Sequence, residues 1–259
     1  MTELTSLQIP VENILGCKVT SFCLDDCIHT ILRWLKFGGR GKYLVCVNPH
    51  SLEVARQDQI FLEALQSADL AIPDGVGVVL ASRILGGSIK MRITGSDIFW
   101  SLNKAMNKPG NYKCFFLGST EETLIRIRER MAKDFPNVTV AGCCSPPFRY
   151  EFTEEENCGM IEAVNRAAPD VLWVGMTAPK QEKWIFLNKD KLNVKFIGAV
   201  GGVFDFFSGN IRRNEYPWFL NHGLEWLPRL LGEPRRLWKR MFVSAPLFMA
   251  RVFAQRIKS

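Results

Sequence analysis

Several protein classes are excluded by what this chain lacks. No run of apolar residues is long enough to span a bilayer; the best stretch, Met241 to Ala250, is short and contains Ser244 and Pro246. The opening Met1-Thr2-Glu3-Leu4-Thr5 has no basic region followed by an apolar one, so no secretory signal is expected. The eight cysteines show no paired CxxC spacing, and His29, His50 and His222 fall in no metal-ligand pattern. No metal is expected, and the thiols suit a reducing, cytosolic compartment of bacterial type. The dinucleotide fingerprint GxGxxG is absent, as are the P-loop GxxxxGK[ST] and the DxD pair that holds a divalent metal on a nucleotide diphosphate. Repeats, low-complexity tracts and long linkers are missing too.

What is present is ordinary globular composition with one local anomaly. A 47% hydrophobic share with 23% charged residues argues against extensive disorder, and 259 residues suffice for a substantial core. The net charge is +7, and all of it sits at the end: Arg229 to Ser259 holds eight Lys/Arg against one Asp/Glu, leaving 25 of each sign in the preceding 228 residues. On a helical wheel Trp238, Met241, Phe242, Ala245, Phe248, Met249, Val252 and Phe253 share one face of this segment. Lys239, Arg240, Ser244, Arg251 and Lys258 lie opposite, with Val243 and Leu247 as exceptions. Positive charge interleaved with large apolar side chains fits an anionic membrane surface better than a bare polyanion. Two other uses of the stripe stay open: packing on the protein's own core, and a subunit surface in a homo-oligomer.

Short apolar runs alternate with helix-length amphipathic stretches, which predicts an α/β fold with a parallel sheet, a Rossmann-like core. Candidate strands are Tyr43–Val47, Leu70–Pro73, Cys114–Leu117, Val138–Ala141, Val171–Val174 and Lys195–Val200. Candidate helices are Leu24–Phe37, Pro49–Arg56, Gly75–Leu85, Ser96–Asn107, Thr120–Asp134, Glu154–Ala167 and Pro179–Asn188, with a helical region over Pro217–Ser259 interrupted at Pro246. The turn-rich Lys108-Pro109-Gly110-Asn111 divides the core into closely packed parts, residues 1–109 and 110–210, followed by a helical appendage, 211–259.

Candidate chemistry gathers where strands end, since ligands of parallel sheets sit at the carboxyl ends. Asp74, in Pro73-Asp74-Gly75-Val76-Gly77, is placed to act as a general base or to cap the next helix. Asn48 either caps its helix or reaches the same cleft. Arg92, in Arg92-Ile93-Thr94-Gly95-Ser96-Asp97 after a short strand, suits a diphosphate or a salt bridge with Asp97. Gly118-Ser119-Thr120 resembles a phosphate or sugar loop. Gln181 and Glu182 open a helix after Gly175 and suit a base, ribose or sugar; Glu182 also reads as a first-turn acid. Gly201-Gly202-Val203-Phe204-Asp205 permits close ligand approach.

This ordered set resembles the WecG/TagA/CpsF family of bacterial glycosyltransferases (glycosyltransferase family 26) from about Gly16 onward. The resemblance adds Gly223-Leu224-Glu225-Trp226-Leu227-x-Arg229-Leu230-x-x-Glu233-Pro234-x-Arg236 to the motifs above. It implies inverting, metal-independent transfer of a sugar, often N-acetylmannosamine or its uronic acid, from a UDP-sugar to a polyprenyl-diphosphate-linked acceptor. It implies Asp74 as base, and Asn48, Arg92, Gln181, Arg229 and Arg236 as substrate-contacting positions; Thr94, Glu182 and Asp205, at the same strand ends, are the further candidate substrate-binding residues. It also implies a basic appendage that binds the cytoplasmic face of the cytoplasmic membrane peripherally, here through Trp238, Lys239, Arg240, Phe242, Phe248 and Arg251, and that helps complete the donor site. No cofactor and no nucleic-acid partner are expected. The teichoic-acid members carry Thr where this chain has Cys46, and Arg213-Asn214-Glu215-Tyr216-Pro217 stands where the family has Arg-Ala-Pro. The residues alone leave two alternatives, a non-catalytic nucleotide-binding module whose basic tail engages nucleic acid, and an NAD-dependent oxidoreductase, which the missing GxGxxG disfavours.

Overall fold

Side chains along the central strands alternate between two apolar cores, one on each face of a single sheet. The computed structural model describes residues 8–210, 238 and 240–258. An antiparallel hairpin, β1 (Val11–Ile14) and β2 (Cys17–Thr20), precedes six parallel strands: β3 (Lys42–Val47), β4 (Leu70–Pro73), β5 (Lys113–Gly118), β6 (Thr139–Cys144), β7 (Val171–Gly175) and β8 (Phe196–Ala199). The six pair in the order β4-β3-β8-β7-β5-β6. Tyr43, Val45, Leu172 and Val174 enter one core, and Leu44, Val171 and Trp173 the other. Strands buried on both faces read as continuous apolar runs, which is why β4, β5, β7 and β8 stand out, whereas the edge strand β6 is half-buried.

The connecting helices are α1 (Leu24–Phe37), α2 (Pro49–Ala55), α3 (Gln59–Gln66), α4 (Val76–Leu85), α5 (Gly95–Asn107), α6 (Glu121–Asp134), α7 (Glu154–Ala167), α8 (Lys180–Asn188) and α9 (Val203–Ser208); α10 (Ala245–Lys258) comes last. Local sequence sets their starts. Thr153 accepts from Glu156 N at 3.2 Å while the Glu156 side chain accepts from Thr153 N at 2.9 Å, and Glu154–Glu156 place negative charge at the positive end of α7. The hairpin and helices α2, α3, α4, α7, α8 and α10 cover one face, through residues such as Leu52, Phe61, Val78, Val164, Ile185 and Phe248. Helices α1, α5, α6 and α9 cover the other, through Ile31, Phe99, Ile127 and Phe207.

Both parts of the core share this one sheet, because β3 pairs with β8 (Tyr43 opposite Ile197). The chain passes from β5 through α6 toward one edge, and from β7 through α8 toward the other, on opposite faces. Neighbouring β5 and β7 therefore form a switch point, the kind of place where parallel sheets take ligands beyond their carboxyl ends. At that point the backbones touch: a Cβ on Gly118 (φ 121°) would lie 2.4 Å from Gly175 O.

Four expectations need correction. The β1–β2 hairpin, α3 and α9 were not foreseen, and no strand precedes Arg92. Residues 87–94 run irregularly and touch the sheet through Ile93 N donating to Pro73 O at 2.9 Å. Pro246 lies in the first turn of α10, where a π turn over Arg240–Ser244 gives way to α-helix. The hydrogen bond it cannot donate falls at that junction. Finally, α10 is rotated from the face drawn on the wheel. Phe248 and Val252 are fully buried and Ser244 nearly so, whereas Phe242, Val243, Leu247, Phe253 and Ile257 face outward.

Candidate active site

Asn48 and Asp74 leave the sheet side by side. Val47 pairs with Pro73 at the ends of β3 and β4, and Asp74 N donates to Val47 O at 2.8 Å. Asn48 is the N-cap of α2: its Oδ1 accepts from Ser51 N at 2.9 Å. The cap leaves the Nδ2 hydrogens unengaged among the described residues, so the structural and ligand-binding readings of Asn48 are compatible. The N-cap position of α4 is taken by Gly75, at φ 125°. The first turn of α4 then packs tightly on the segment after Asn48, since a Cβ on Gly77 would stand 2.5 Å from Pro49 Cγ. The two loops hold each other in place.

The segment carrying Arg92 and Thr94 reaches the same end of β4 through the Ile93–Pro73 bond. Thr94 caps α5, with Oγ1 donating to Asp97 Oδ2 at 2.8 Å and accepting from Asp97 N at 3.2 Å. Its hydroxyl thus has a structural task. Arg92 is half-buried.

Gln181 and Glu182, in the first turn of α8, are both buried. Gln181 Oε1 accepts from Met176 N at 3.2 Å and Nε2 donates to Glu182 Oε1 at 2.8 Å. The amide also lies against the turn after β8, as a Cβ on Gly201 would be 3.4 Å from Nε2. Gln181 therefore ties the β7 turn to the β8 turn. Burial pushes the Glu182 carboxyl up to about 7, against an opposing contribution from the Gln181 hydrogen bond. Its Oε2 has no hydrogen-bond partner among the described residues.

Cys46, on β3, sits where these groups converge. Burial raises its thiol well above the usual cysteine range, and the charges of Asp74, Glu182 and Asp97 push the same way. Its Sγ would be 3.3 Å from a Cβ on Gly95 and donates weakly to Ala199 O at 3.6 Å. The elements that bring Asp74, Asn48, Gln181 and Glu182 together are thus the ends of β3, β4, β7 and β8. Asp205 stands a little apart, half-buried in the first turn of α9. Among the described residues no three His, Cys, Asp or Glu side chains could share a metal ion.

Sequence reasoning missed two contributors. His50 Nδ1 lies 2.9 Å from Ser244 Oγ, linking the start of α2 to the segment before α10. Lys180 Nζ stands 3.6 Å over the Phe152 ring and donates to Arg149 O, bringing the β6–α7 loop to the first turn of α8. A lone His beside a Pro, or a Lys in a first turn, carries no signal of a partner far along the chain.

Arg229, Arg236 and Lys239 lie outside the described residues, as does the side chain of Arg240. One of the six expected membrane contacts points inward instead, and a second, half-exposed, is engaged on the protein itself. Phe248 is fully buried, and Arg251 Nε donates to Glu53 Oε2 at 3.2 Å. Trp238 and Phe242 are exposed, with ring centroids 4.9 Å apart. No helix among the described residues is long and apolar enough to cross a membrane.

Residues 12–259 match the family model described as Glycosyl transferase WecG/TagA/CpsF family. The chain is 34% identical over 214 residues to the N-acetylglucosaminyldiphosphoundecaprenol N-acetyl-beta-D-mannosaminyltransferase of Bacillus spizizenii, covering 82% of this chain and 79% of that one. Proteins of the same name from Bacillus subtilis (31% over 216 residues; 83% and 80% covered) and Staphylococcus aureus (29% over 212 residues; 81% and 79% covered) are also similar. A match over nearly the whole length, on a Rossmann-like sheet whose strand ends gather Asn48, Asp74 and Gln181, shows that this chain belongs to the WecG/TagA/CpsF family of glycosyl transferases.

Proposed function

We propose that the protein transfers an N-acetylmannosamine-type sugar from a UDP-sugar to a polyprenyl-diphosphate-linked acceptor, in one inverting displacement without a metal. The observation that carries this reading is the pairing of Asp74 with Asn48 at the ends of adjacent strands, beside the buried Gln181–Glu182 pair. Asp74 takes the proton from an acceptor hydroxyl as its oxygen attacks the anomeric carbon of the donor. The bond from that carbon to the UDP oxygen breaks, and the departing diphosphate carries the negative charge. Arg92, with Arg229 and Arg236 from the appendage, opposes that charge. Asn48 Nδ2 and the Gln181 amide orient the sugars, Glu182 holds Gln181 in place, and Asp205 serves the donor nucleotide. Thr94 contributes by fixing the start of α5 beside Arg92.

The relatives, by their names, transfer an N-acetyl-β-D-mannosaminyl group to N-acetylglucosaminyldiphosphoundecaprenol, which supports the transferred sugar and the acceptor. The missing DxD supports metal independence. A lipid-linked acceptor suits peripheral attachment to the cytoplasmic face of the membrane. The outward residues of α10 serve that attachment together with Trp238, Lys239, Arg240, Arg256 and Lys258, each basic group contributing about 1 kcal/mol near an anionic surface.

A panel of UDP-sugars incubated with polyprenyl-diphosphate-N-acetylglucosamine, with and without EDTA, tests this function. A lipid-linked disaccharide should form with the N-acetylmannosamine donor under both conditions. Absence of product with every donor would sink the reading, and product only without EDTA would remove metal independence.

A further inference from the structure

α4 starts two residues after Asp74 and carries an apolar outer flank. Val76 and Leu80, one turn apart, are 46% and 42% exposed, while Val78, Val79 and Ala81 on the other side are buried. Aliphatic side chains on the solvent face of a helix mark a contact surface when neighbours extend them into a patch. Here α10 does so. It runs beside α4 in the same direction: Ser244, just before it, meets His50 at the carboxyl edge of the sheet. At its far end the Arg256 guanidinium stands 3.8 Å from where a Cβ on Gly86, the C-cap of α4, would lie. Its outward side shows Phe242, Val243, Leu247 and Phe253. Met91, 71% exposed, lies on the loop that returns to β4 beside Asp74, between Lys90 and Arg92.

We propose that the Val76–Leu80 flank of α4, continued by α10, seats the isoprenoid chain of the acceptor, with Lys90 opposite its diphosphate. The inference rests on the acceptor reading given above. A base takes a proton only from a hydroxyl about 3 Å away, so the acceptor sugar lies at Asp74 and its diphosphate and first isoprene units leave from there. At about 1.5 Å of rise per residue, Val76 to Leu80 covers about 6 Å of that exit path. A basic group next to a run of aliphatic side chains matches a diphosphate followed by a hydrocarbon chain. A flat bilayer contact would not require the run to begin beside the base.

The test compares two acceptors carrying the same sugar diphosphate, one on a long polyprenyl chain and one on a short water-soluble alkyl chain. In Val76→Ser/Leu80→Ser the ratio of KM for the long chain to KM for the short chain should rise about five-fold or more. Leu80→Gln alone should give a smaller rise in the same direction. Flotation with acceptor-free vesicles should stay at the wild-type level, and Phe37→Ser, exposed on α1, should leave the ratio unchanged. An unchanged ratio, or KM rising equally for both acceptors, overturns the proposal. Lost flotation with an unchanged ratio overturns it too, and assigns the flank to general bilayer contact. Wild-type protein that glycosylates neither acceptor counts instead against the acceptor reading itself.

Discussion

Arg251 Nε donates to Glu53 Oε2 at 3.2 Å across the seam between α10 and α2. Glu53 is nearly buried, and its Oε1 has no hydrogen-bond partner among the described residues. Arg251 is therefore what makes a carboxylate tolerable at that seam. Arg251→Met should loosen α10 by about 1 kcal/mol, toward the low end for an orphaned buried group because Arg251 keeps contact with water. Adding Glu53→Gln should recover part of the loss. Amide hydrogen exchange along α10 reads both, and unchanged protection in Arg251→Met would rule the pair out as a fastener.

The two faces of α10 should respond differently to truncation. Phe248→Ala removes a fully buried ring and should cost about 3–5 kcal/mol of helix docking or overall stability. Phe253→Ser, on the outer face, should change stability by no more than about 0.5 kcal/mol while weakening vesicle flotation. Equal destabilisation in denaturant titrations would mean that the outer face is also packed.

Asp74→Asn keeps the size of the side chain and removes its basicity. Turnover with a lipid-linked acceptor should fall about 10²- to 10⁴-fold, with little change in thermal stability. Near-wild-type turnover would remove Asp74 as the base.

Glu182 makes stability depend on pH. Its carboxyl is raised to about 7 from a reference of 4.5, so between those values the folded state holds a proton that the unfolded state has released. The group therefore costs nothing below the unfolded value. Stability should fall as pH rises from about 4.5 to about 7, and its contribution should level off above that. The full cost is of order 3 kcal/mol for so complete a burial. Glu182→Gln should flatten this part of the pH profile and be relatively more stable at pH 8 than at pH 5. A profile with the same slope in both proteins would assign the proton elsewhere.

How legible each element was depended on whether its signal was local. Cys114-Phe115-Phe116-Leu117 and Val171–Val174 stand out because strands buried on both faces leave no polar interruption. The hairpin was hidden: its strands have four residues each, and the turn places Leu15 at φ 51° rather than the Asn or Gly expected there. α9 spans six residues, less than two turns, too short for a periodic pattern. Among site residues, the strand-end positions of Asn48, Asp74 and Gln181 were readable, since strand ends are set locally. The burial of Glu182 was not, because it depends on what β3 and the turn after β8 bring over it.

The last helix divides the two kinds of information most clearly. By itself the sequence determined that Arg229–Ser259 is basic and amphipathic with no apolar run long enough to span a membrane, and that Asp74 follows a buried strand. A helix with apolar residues on most of its circumference has no inherent inside, however, and Val243 and Leu247 were as apolar as Phe248. Tertiary structure made the choice through polar partners some two hundred residues away. His50 takes Ser244, Glu53 takes Arg251, and Gln255 bonds Leu15 N and Asn13 O, each at 2.9 Å, in a hairpin that was itself unforeseen. Hydrogen-bonding groups must be met at fixed points, so they set a rotation that hydrophobicity alone leaves free.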